Sequence, residues 1–230
     1  MLRKRSHLVA ALLAVGLLFG PRLFADDLQS VLHQLDVSAA NFRSASADFE
    51  FDAVITDPVP DTDVQKGVAY FEHAGNTFRM AGHINDVNGK SVPKVYMYSN
   101  GAVELYEPMI NQVTRFKKAS QFEGYAMLGF GASGKELEEK WNITYDGPET
   151  IDSVKTDKLE LVAKDPAVRK TFSKITIWVD PQRNVSVKQV FDEGEGQSRT
   201  CHYFNFKVNQ SLPGDAFKLK TNNKTQIVDR

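Results

Sequence analysis

The stretch from Lys94 to Gly131 reads KVYMYSNGAVELYEPMINQVTRFKKASQFEGYAMLGFG, and it decides how the rest of the chain is interpreted. In its first half, short apolar runs alternate with turn residues. The runs are Val95–Tyr98, Val103–Tyr106 and Asn111–Phe116, and the turns fall at Ser99-Asn100-Gly101 and Glu107-Pro108. This spacing predicts a meander of three antiparallel strands joined by tight hairpins.

The second half of this stretch has a different period. From Ala119 to Phe130 the apolar side chains recur at a spacing closer to that of a helix than to that of a strand. The segment ends on Gly131-Ala132-Ser133-Gly134, whose glycines favour a hinge. An apolar helix beside a meander predicts a lid over a sheet, with something apolar sheltered between them.

Residues 1–25 have the pattern of an export signal. Arg3-Lys4-Arg5 is basic, Leu8–Phe19 is apolar, and Ala25 is a small residue at a suitable cleavage point. The apolar run is shorter than the ~20 residues of a membrane-spanning helix, although an uncleaved anchor is the alternative. We therefore expect cleavage after Ala25 and export to the periplasm of a Gram-negative cell.

The charge balance indicates which partners to expect. The signal holds four basic residues, so the mature chain has 24 basic residues against 29 acidic ones. This excess of acidic residues argues against nucleic acid or an anionic membrane surface as the main partner. Cys201 is the only cysteine, so no disulfide can form within the chain.

Short strands at regular spacing predict the fold class. Ser46–Thr56 alternates cleanly between apolar and acidic residues, as expected of a half-buried antiparallel strand. Ten or eleven such strands follow a first helix at Asp26–Ala45. The pattern predicts a mainly β (α+β) fold with one large, curved antiparallel sheet, in a single domain over residues 26–230.

The residue patterns that mark enzymes are missing from the sequence. His33, His73, His83 and His202 form no metal-binding motif, and neither a nucleophile elbow nor a phosphate loop occurs. We therefore expect no catalysis, no metal and no cofactor. The 15 Phe and seven Tyr residues either fill the core of a large sheet or line a concave apolar site, and both interpretations stay open.

Several motifs together resemble those of a known family, the periplasmic outer-membrane lipoprotein carriers, or LolA-like proteins. The segment from Tyr98 to Thr114 resembles the family signature, in which S-D/N-G is followed by Y-x-P-x₃-Q-V-T. Gly67–Phe71 with Phe78-Arg79-Met80, and Lys174–Asp180 with its Trp178, are similar to two further family segments. Two positions depart from the family pattern: His73-Ala74 replaces an Arg-Pro pair, and Val185-Ser186 replaces a Leu-Pro pair.

The resemblance implies an open, incomplete β-barrel covered by a helical lid, with the acyl chains of a lipoprotein held between them. A lid at Gln121–Phe130 and walls from the sheet are the expected parts, although a one-residue phase error would exchange the two faces of any strand. The expected acyl-chain contacts are Phe49, Phe51, Tyr96, Met97, Leu105, Phe122, Tyr125, Leu128, Phe130, Trp178, Val187 and Phe191.

The resemblance also implies a function and partners. The chain would act as a monomer that accepts acylated lipoproteins from an inner-membrane exporter and delivers them to an outer-membrane acceptor. The alternatives are a carrier of another envelope lipid, such as a polyisoprenoid or glycolipid, and a sensor of such lipids. No nucleic acid is expected as a partner.

Overall fold

The computed structural model of the chain describes residues 22–74, 77–117, 125 and 127–230. Within them the helices are α1 (Arg22–Ala39), α2 (Gly134–Lys140) and α3 (Pro166–Thr171). The strands are β1 (Ser44–Ile55), β2 (Asp61–Ala74), β3 (Thr77–Val87), β4 (Lys90–Ser99), β5 (Ala102–Glu107), β6 (Gln112–Phe116), β7 (Trp141–Ile151), β8 (Val154–Ala163), β9 (Lys174–Asp180), β10 (Val185–Gly194), β11 (Gln197–Val208) and β12 (Gln226–Asp229).

These strands form one sheet in the order β12-β6-β5-β4-β3-β2-β1-β11-β10-β9-β8-β7. Neighbours are antiparallel except β12 and β6, which are parallel. The strands β12 and β7 remain as two separate edges, so the sheet is not closed. The predicted open, mainly β architecture is therefore confirmed, and the meander appears as β4, β5 and β6.

Helix α1 is shorter than the sequence pattern predicts. It ends at Ala39, and the chain is already extended at Ser44, where the prediction had a helix through Ala45. Phe42, which falls within the predicted helix, lies in the connecting loop and packs edge-on against the ring of His73 at 5.6 Å. The strand begins early because Ser44 and Ala45 pair with β2.

Helix α2 begins with a capping box at Ser133. The Ser133 hydroxyl accepts from the Glu136 amide at 3.2 Å, and the Glu136 carboxylate accepts from the Ser133 amide at 2.9 Å. Helix α3 begins with Pro166 after the capping residue Asp165, as its sequence predicts. None of the helices in the described part of the chain is long and apolar enough to cross a membrane.

The C-terminal residues form a strap and an additional strand that the sequence pattern did not indicate. We call residues 209–225 the C-terminal strap. Ala216 is buried, and its carbonyl oxygen lies 2.9 Å from His83 Nε2, while the Tyr106 hydroxyl donates to the Lys220 carbonyl at 2.9 Å. The strap then leads into β12, which extends the sheet beyond β6.

The core consists of two clusters on one face of the sheet, which we call the inner face. The first cluster centres on β1–β4, β11 and Phe130. The second combines α1, α2 and the strands β7–β9, and Met127 packs against both clusters. Because the C-terminal strap packs on residues that alternate with the core residues, it lies on the opposite, outer face.

Candidate apolar binding face

The inner face of β2–β5 carries rows of apolar side chains set by the strand register. One row runs through Phe71, Met80, Tyr98 and Val103. The neighbouring row runs through Ala69, Gly82, Tyr96 and Leu105. The ring of Phe49 lies 4.0 Å from the point where a Cβ at Gly82 would stand, so the missing side chain leaves room for this ring.

Many of these side chains are only half-buried. We call the half-buried apolar residues of this face, together with the buried Phe49, the open wall: they are Phe49, Phe51, Met80, Tyr96, Val103 and Leu105. Burial raises the pKa of the Tyr96 phenol, which indicates that its hydroxyl lies in a poorly hydrated place. The open wall is therefore apolar and incompletely covered.

Phe130 fills the part of the inner face beside Phe71 and Tyr203. Its ring stacks on Phe71 at a centroid distance of 3.6 Å and an angle of 6°, and it meets Tyr203 edge-on at 4.9 Å. Phe130 and the neighbouring Leu128 are fully buried. Both residues were predicted to belong to a lid, and both lie in the core.

Polar groups from β10 and from the turn before it hold the backbone around Phe130. The Ser186 amide donates to the Gly129 carbonyl at 2.6 Å, and the Gln189 side chain donates to the Leu128 carbonyl. The Asn184 amide group donates to the carbonyls of Leu35 and Ala132 at 3.3 and 3.1 Å. These buried side chains thus connect α1, the sheet and residues 128–132, which we call the anchor segment.

The glycines of the anchor segment permit close contact and do not form the predicted hinge. Gly129 has φ +69°, and a Cβ there would stand 2.4 Å from the Ser186 Cβ. Gly131 has φ +83°, and its Cβ would meet Phe42 at 2.6 Å. Both residues need a left-handed backbone and the absence of a side chain, so the hinge prediction at Gly131–Gly134 is corrected to a tightly packed turn.

Two concavities adjoin these elements. The smaller, about 10 Å³, lies between the anchor segment and α2 beside Leu137 and Trp141, which is room for at most one water molecule. The larger, about 380 Å³, opens at the end of α1 and is lined by Val37, Phe42, Arg183 and their neighbours. Around Phe130 the inner face is therefore filled by the protein's own side chains.

The predicted strand residues divide between the two faces. Phe49, Phe51, Tyr96 and Leu105 lie on the inner face with the core clusters. Met97 is adjacent to Tyr96 and therefore points to the outer face, in register with Ala81 and Glu104. The sequence offered both Tyr96 and Met97 as contacts, and only Tyr96 shares a face with Phe49.

Trp178 also lies on the outer face. It alternates with Ile177 and Val179, which belong to the core. Its ring lies between the ammonium groups of Lys188 and Lys158, at 4.9 and 5.7 Å, and its Nε1 donates to Glu149 at 2.7 Å. Val187 is buried at a bulge between Ser186 and Lys188. Trp178 therefore stabilises the outer surface and does not line the inner face.

Tyr125 and Phe191 lie at the border of the second core cluster. Tyr125 packs against Phe172 at 5.1 Å and Trp141 at 6.3 Å, and Phe172 contacts Phe191 at 5.4 Å. Tyr125 and Phe191 are both half-buried. Phe122, and half of the predicted lid Gln121–Phe130, lie outside the described residues.

Sequence reasoning missed the residues that hold the anchor segment. Asn184 reads as a turn residue, and Gln189 is one polar residue in an apolar strand, so neither is distinctive alone. Gly82, which shapes the open wall, gave no signal beyond a strand pattern, and Met80 was noted only as part of the family-like segment Phe78-Arg79-Met80. Among the described residues, no group of three His, Cys, Asp or Glu side chains could hold a metal ion.

Comparison with known proteins identifies relatives of the fold. No protein-family model matches the chain. An uncharacterized conserved protein from Thermus thermophilus is 12% identical, with a TM-score of 0.54 over 89% of this chain and 99% of that protein. MucB is 10% identical, with a TM-score of 0.52 over 88% of this chain and 66% of MucB. At these identities the likeness shows the fold alone.

Two further matches are a structure with a lower TM-score and a protein that is similar in sequence over half of this chain. A LolA superfamily protein from Nitrosomonas europaea is 16% identical, with a TM-score of 0.39 over 84% of this chain and 97% of that protein. An uncharacterized protein from Methanocaldococcus jannaschii is 28% identical over 115 residues, which are 50% of this chain and 32% of that protein. The chain therefore spans about a third of the length of this curated relative.

Proposed function

We propose that this protein is a non-enzymatic periplasmic carrier that binds the acyl chains of lipoproteins on the open wall and shuttles them from the inner to the outer membrane. The observation that carries the proposal is the incomplete cover of the wall, where large apolar side chains such as Phe51, Tyr96 and Val103 remain half-buried. An inner-membrane exporter and an outer-membrane acceptor are the partners that this function requires.

The chemistry of the cargo fits a surface of this kind. Each methylene that leaves water contributes roughly 0.8 kcal/mol, so a lipoprotein with long acyl chains needs an apolar cover while it crosses an aqueous space. The attraction between methylenes and apolar side chains has no preferred direction, so cargo held in this way can also be released. Phe130 already fills the space beside Phe71. The acyl chains therefore lie on the remaining part of the open wall, between Phe51 and Val103.

Two adjacent residues on opposite faces provide the test. A tripalmitoylated lipopeptide is titrated into the protein in vesicle-free buffer, with the same peptide lacking its acyl chains as a control. We expect the Kd for the lipopeptide to rise about tenfold in Tyr96→Ala, a loss of about 1.4 kcal/mol of binding free energy. Met97→Ala, a substitution on the outer face, should leave it unchanged within about twofold. Equal effects, or equal affinity for both peptides, would contradict the proposal.

A different envelope lipid is the second candidate cargo. The observation that favours it is His73, which stands where the resembled family has an arginine and which packs between Phe42 and Phe78 at 5.6 and 5.0 Å. Native mass spectrometry of the protein isolated from its own periplasm distinguishes the two. If a polyisoprenoid or glycolipid co-purifies in place of a lipoprotein, the protein is a carrier of that lipid.

A further inference from the structure

The hairpin between β5 and β6 exposes two large apolar side chains at its tip. Met109 is 71% exposed and Ile110 is 60% exposed, although both sit in a turn, where polar residues are usual. Ile227 on the neighbouring strand β12 is 54% exposed and pairs in register with Val113. Three of the eight exposed large apolar residues among the described residues therefore lie at one corner of the sheet.

Hydrogen bonds attach the C-terminal strap to this hairpin. The Thr225 hydroxyl donates to Asn111 Oδ1 at 2.8 Å, and the Gln226 amide donates to the Asn111 carbonyl at 3.0 Å. Asn111 Nδ2 lies 3.4 Å from Asn222 Oδ1. The apolar tip and the end of the strap are consequently one fixed surface, which we call the basic corner.

The charge of this corner differs from that of the whole chain. Residues 216–228 contain Lys218, Lys220 and Lys224 and no acidic residue, and residues 108–114 carry no charge. Lys224 is exposed, and Lys220 pairs with Asp215 at 2.9 Å. Glu107, at the start of the hairpin, lies 3.9 Å from Lys94. The corner therefore combines exposed apolar side chains with local positive charge, whereas acidic residues are in excess overall.

A second exposed apolar residue at the same end of the sheet provides a contrast. Val59, in the loop between β1 and β2, is 70% exposed, almost as much as Met109. Antiparallel strands place the β1–β2 loop and the β5–β6 turn at the same end. Acidic residues surround Val59, namely Asp57, Asp61 and Asp63. The two sites are therefore similar in the exposure of their apolar side chains, and they differ in the sign of the charged residues near them.

We propose that the basic corner contacts the surface of an anionic phospholipid bilayer, with Met109 and Ile110 entering the interface and the strap lysines facing lipid phosphates. This inference rests on the proposed function, because a lipid carrier must approach a membrane to load or unload. Apolar insertion and charge attraction each contribute, so a short turn can bind reversibly without spanning the bilayer.

Vesicle co-sedimentation tests the proposal with the purified protein. Vesicles of phosphatidylethanolamine and phosphatidylglycerol are compared with vesicles of phosphatidylcholine at low salt. We expect binding to the anionic vesicles to fall about tenfold in the double variant Met109→Ser/Ile110→Ser. A similar fall is expected in Lys218→Gln/Lys220→Gln/Lys224→Gln. Val59→Ser, the matched control, should bind like the unmodified protein, and high salt should weaken binding.

Each outcome decides one question. If the unmodified protein fails to bind anionic vesicles, or if Val59→Ser loses as much binding as the double variant, the assignment of the basic corner is overturned. The lipopeptide titration in vesicle-free buffer is carried out on the same variants and should be unchanged in Met109→Ser/Ile110→Ser. Vesicle binding without lipopeptide binding would therefore reject the carrier function and still support the membrane contact of the basic corner.

Discussion

The two halves of the sheet differ in how they are covered. On the side of β7–β10, the apolar residues Leu159, Leu161, Ile175 and Ile177 are fully buried, because Val31, Leu32 and Leu35 of α1 and Leu137 of α2 pack into the same cluster. On the side of β2–β5, the described loop residues that join the cluster are Phe42, Met127 and Phe130, and the open wall stays half-buried. We call the side of β7–β10 the sealed half.

This difference separates stability from binding. A side chain that is already removed from water contributes to folding and has nothing further to offer a ligand, whereas a half-buried one can bury more area when a ligand arrives. The sealed half therefore stabilises the fold, and the open wall is where additional apolar surface can be covered. Substitutions matched in chemistry on the two halves test this division.

Matched leucines should show the largest effect. Leu161 is fully buried in the sealed half, and Leu105 is half-buried on the open wall. We expect Leu161→Ala to lower the free energy of unfolding by about 3–4 kcal/mol and Leu105→Ala by about 1–2 kcal/mol, because only the first leaves a closed cavity. Urea unfolding measures both values. Equal losses would show that the two halves are equally covered.

Paired glycines test how tightly the anchor segment is held against β10. Gly129 and Gly147 both have positive φ. A Cβ at Gly129 would stand 2.4 Å from the Ser186 Cβ, whereas a Cβ at Gly147 would have no neighbour within 4 Å. Gly147→Ala should cost about 1 kcal/mol from the left-handed backbone alone. Gly129→Ala should cost about 2–3 kcal/mol, since the clash with Ser186 adds to that cost. Thermal or urea unfolding would give similar values for both if the anchor segment moved freely.

An effect that is absent at neutral pH concerns Cys201, which lies where β11 meets the open wall through its pairing with Phe51. Burial raises the pKa of the Cys201 thiol to about 12. Between about pH 9 and 12 the unfolded chain loses this proton and the folded chain keeps it, so stability falls as the pH rises. The loss from this residue is at most about 1.4 kcal/mol per pH unit.

Comparison with Cys201→Ala isolates this contribution. The variant should show a shallower decline of unfolding free energy above about pH 9, and the thiol of the native protein should resist thiol reagents at about pH 8. Rapid modification of Cys201 under those conditions in the folded protein would show that water reaches the boundary between the two halves.

Local patterns predicted much of the fold. The alternation in Ser46–Thr56, the turns of the meander and Pro166 at the first helical turn each reflect a preference of a few neighbouring residues, and the structure confirms them. The helical spacing before Phe130 is less informative, because an apolar residue can serve either a movable cover or a packed core. The structure places Leu128 and Phe130 in the core.

Strand faces could be predicted only in part. Tyr96-Met97 and Ile177-Trp178 are pairs in which both residues are large and apolar, so alternation alone does not identify the buried one. The neighbours decide: Tyr96 lies in register with Gly82, and Trp178 lies between two lysines on adjacent strands. Such pairings join residues distant in the sequence, and no local pattern contains them.

The sequence by itself predicted an export signal and determined a chain of short antiparallel strands with an excess of aromatic side chains, because these follow from composition and from periods of two to four residues. The tertiary structure alone decided that Asn184, Ser186 and Gln189 hold the anchor segment, and that one half is sealed while the other is not. These features depend on strand order and on contacts between residues far apart in the chain, such as that between Ala132 and Asn184, which are 52 positions apart.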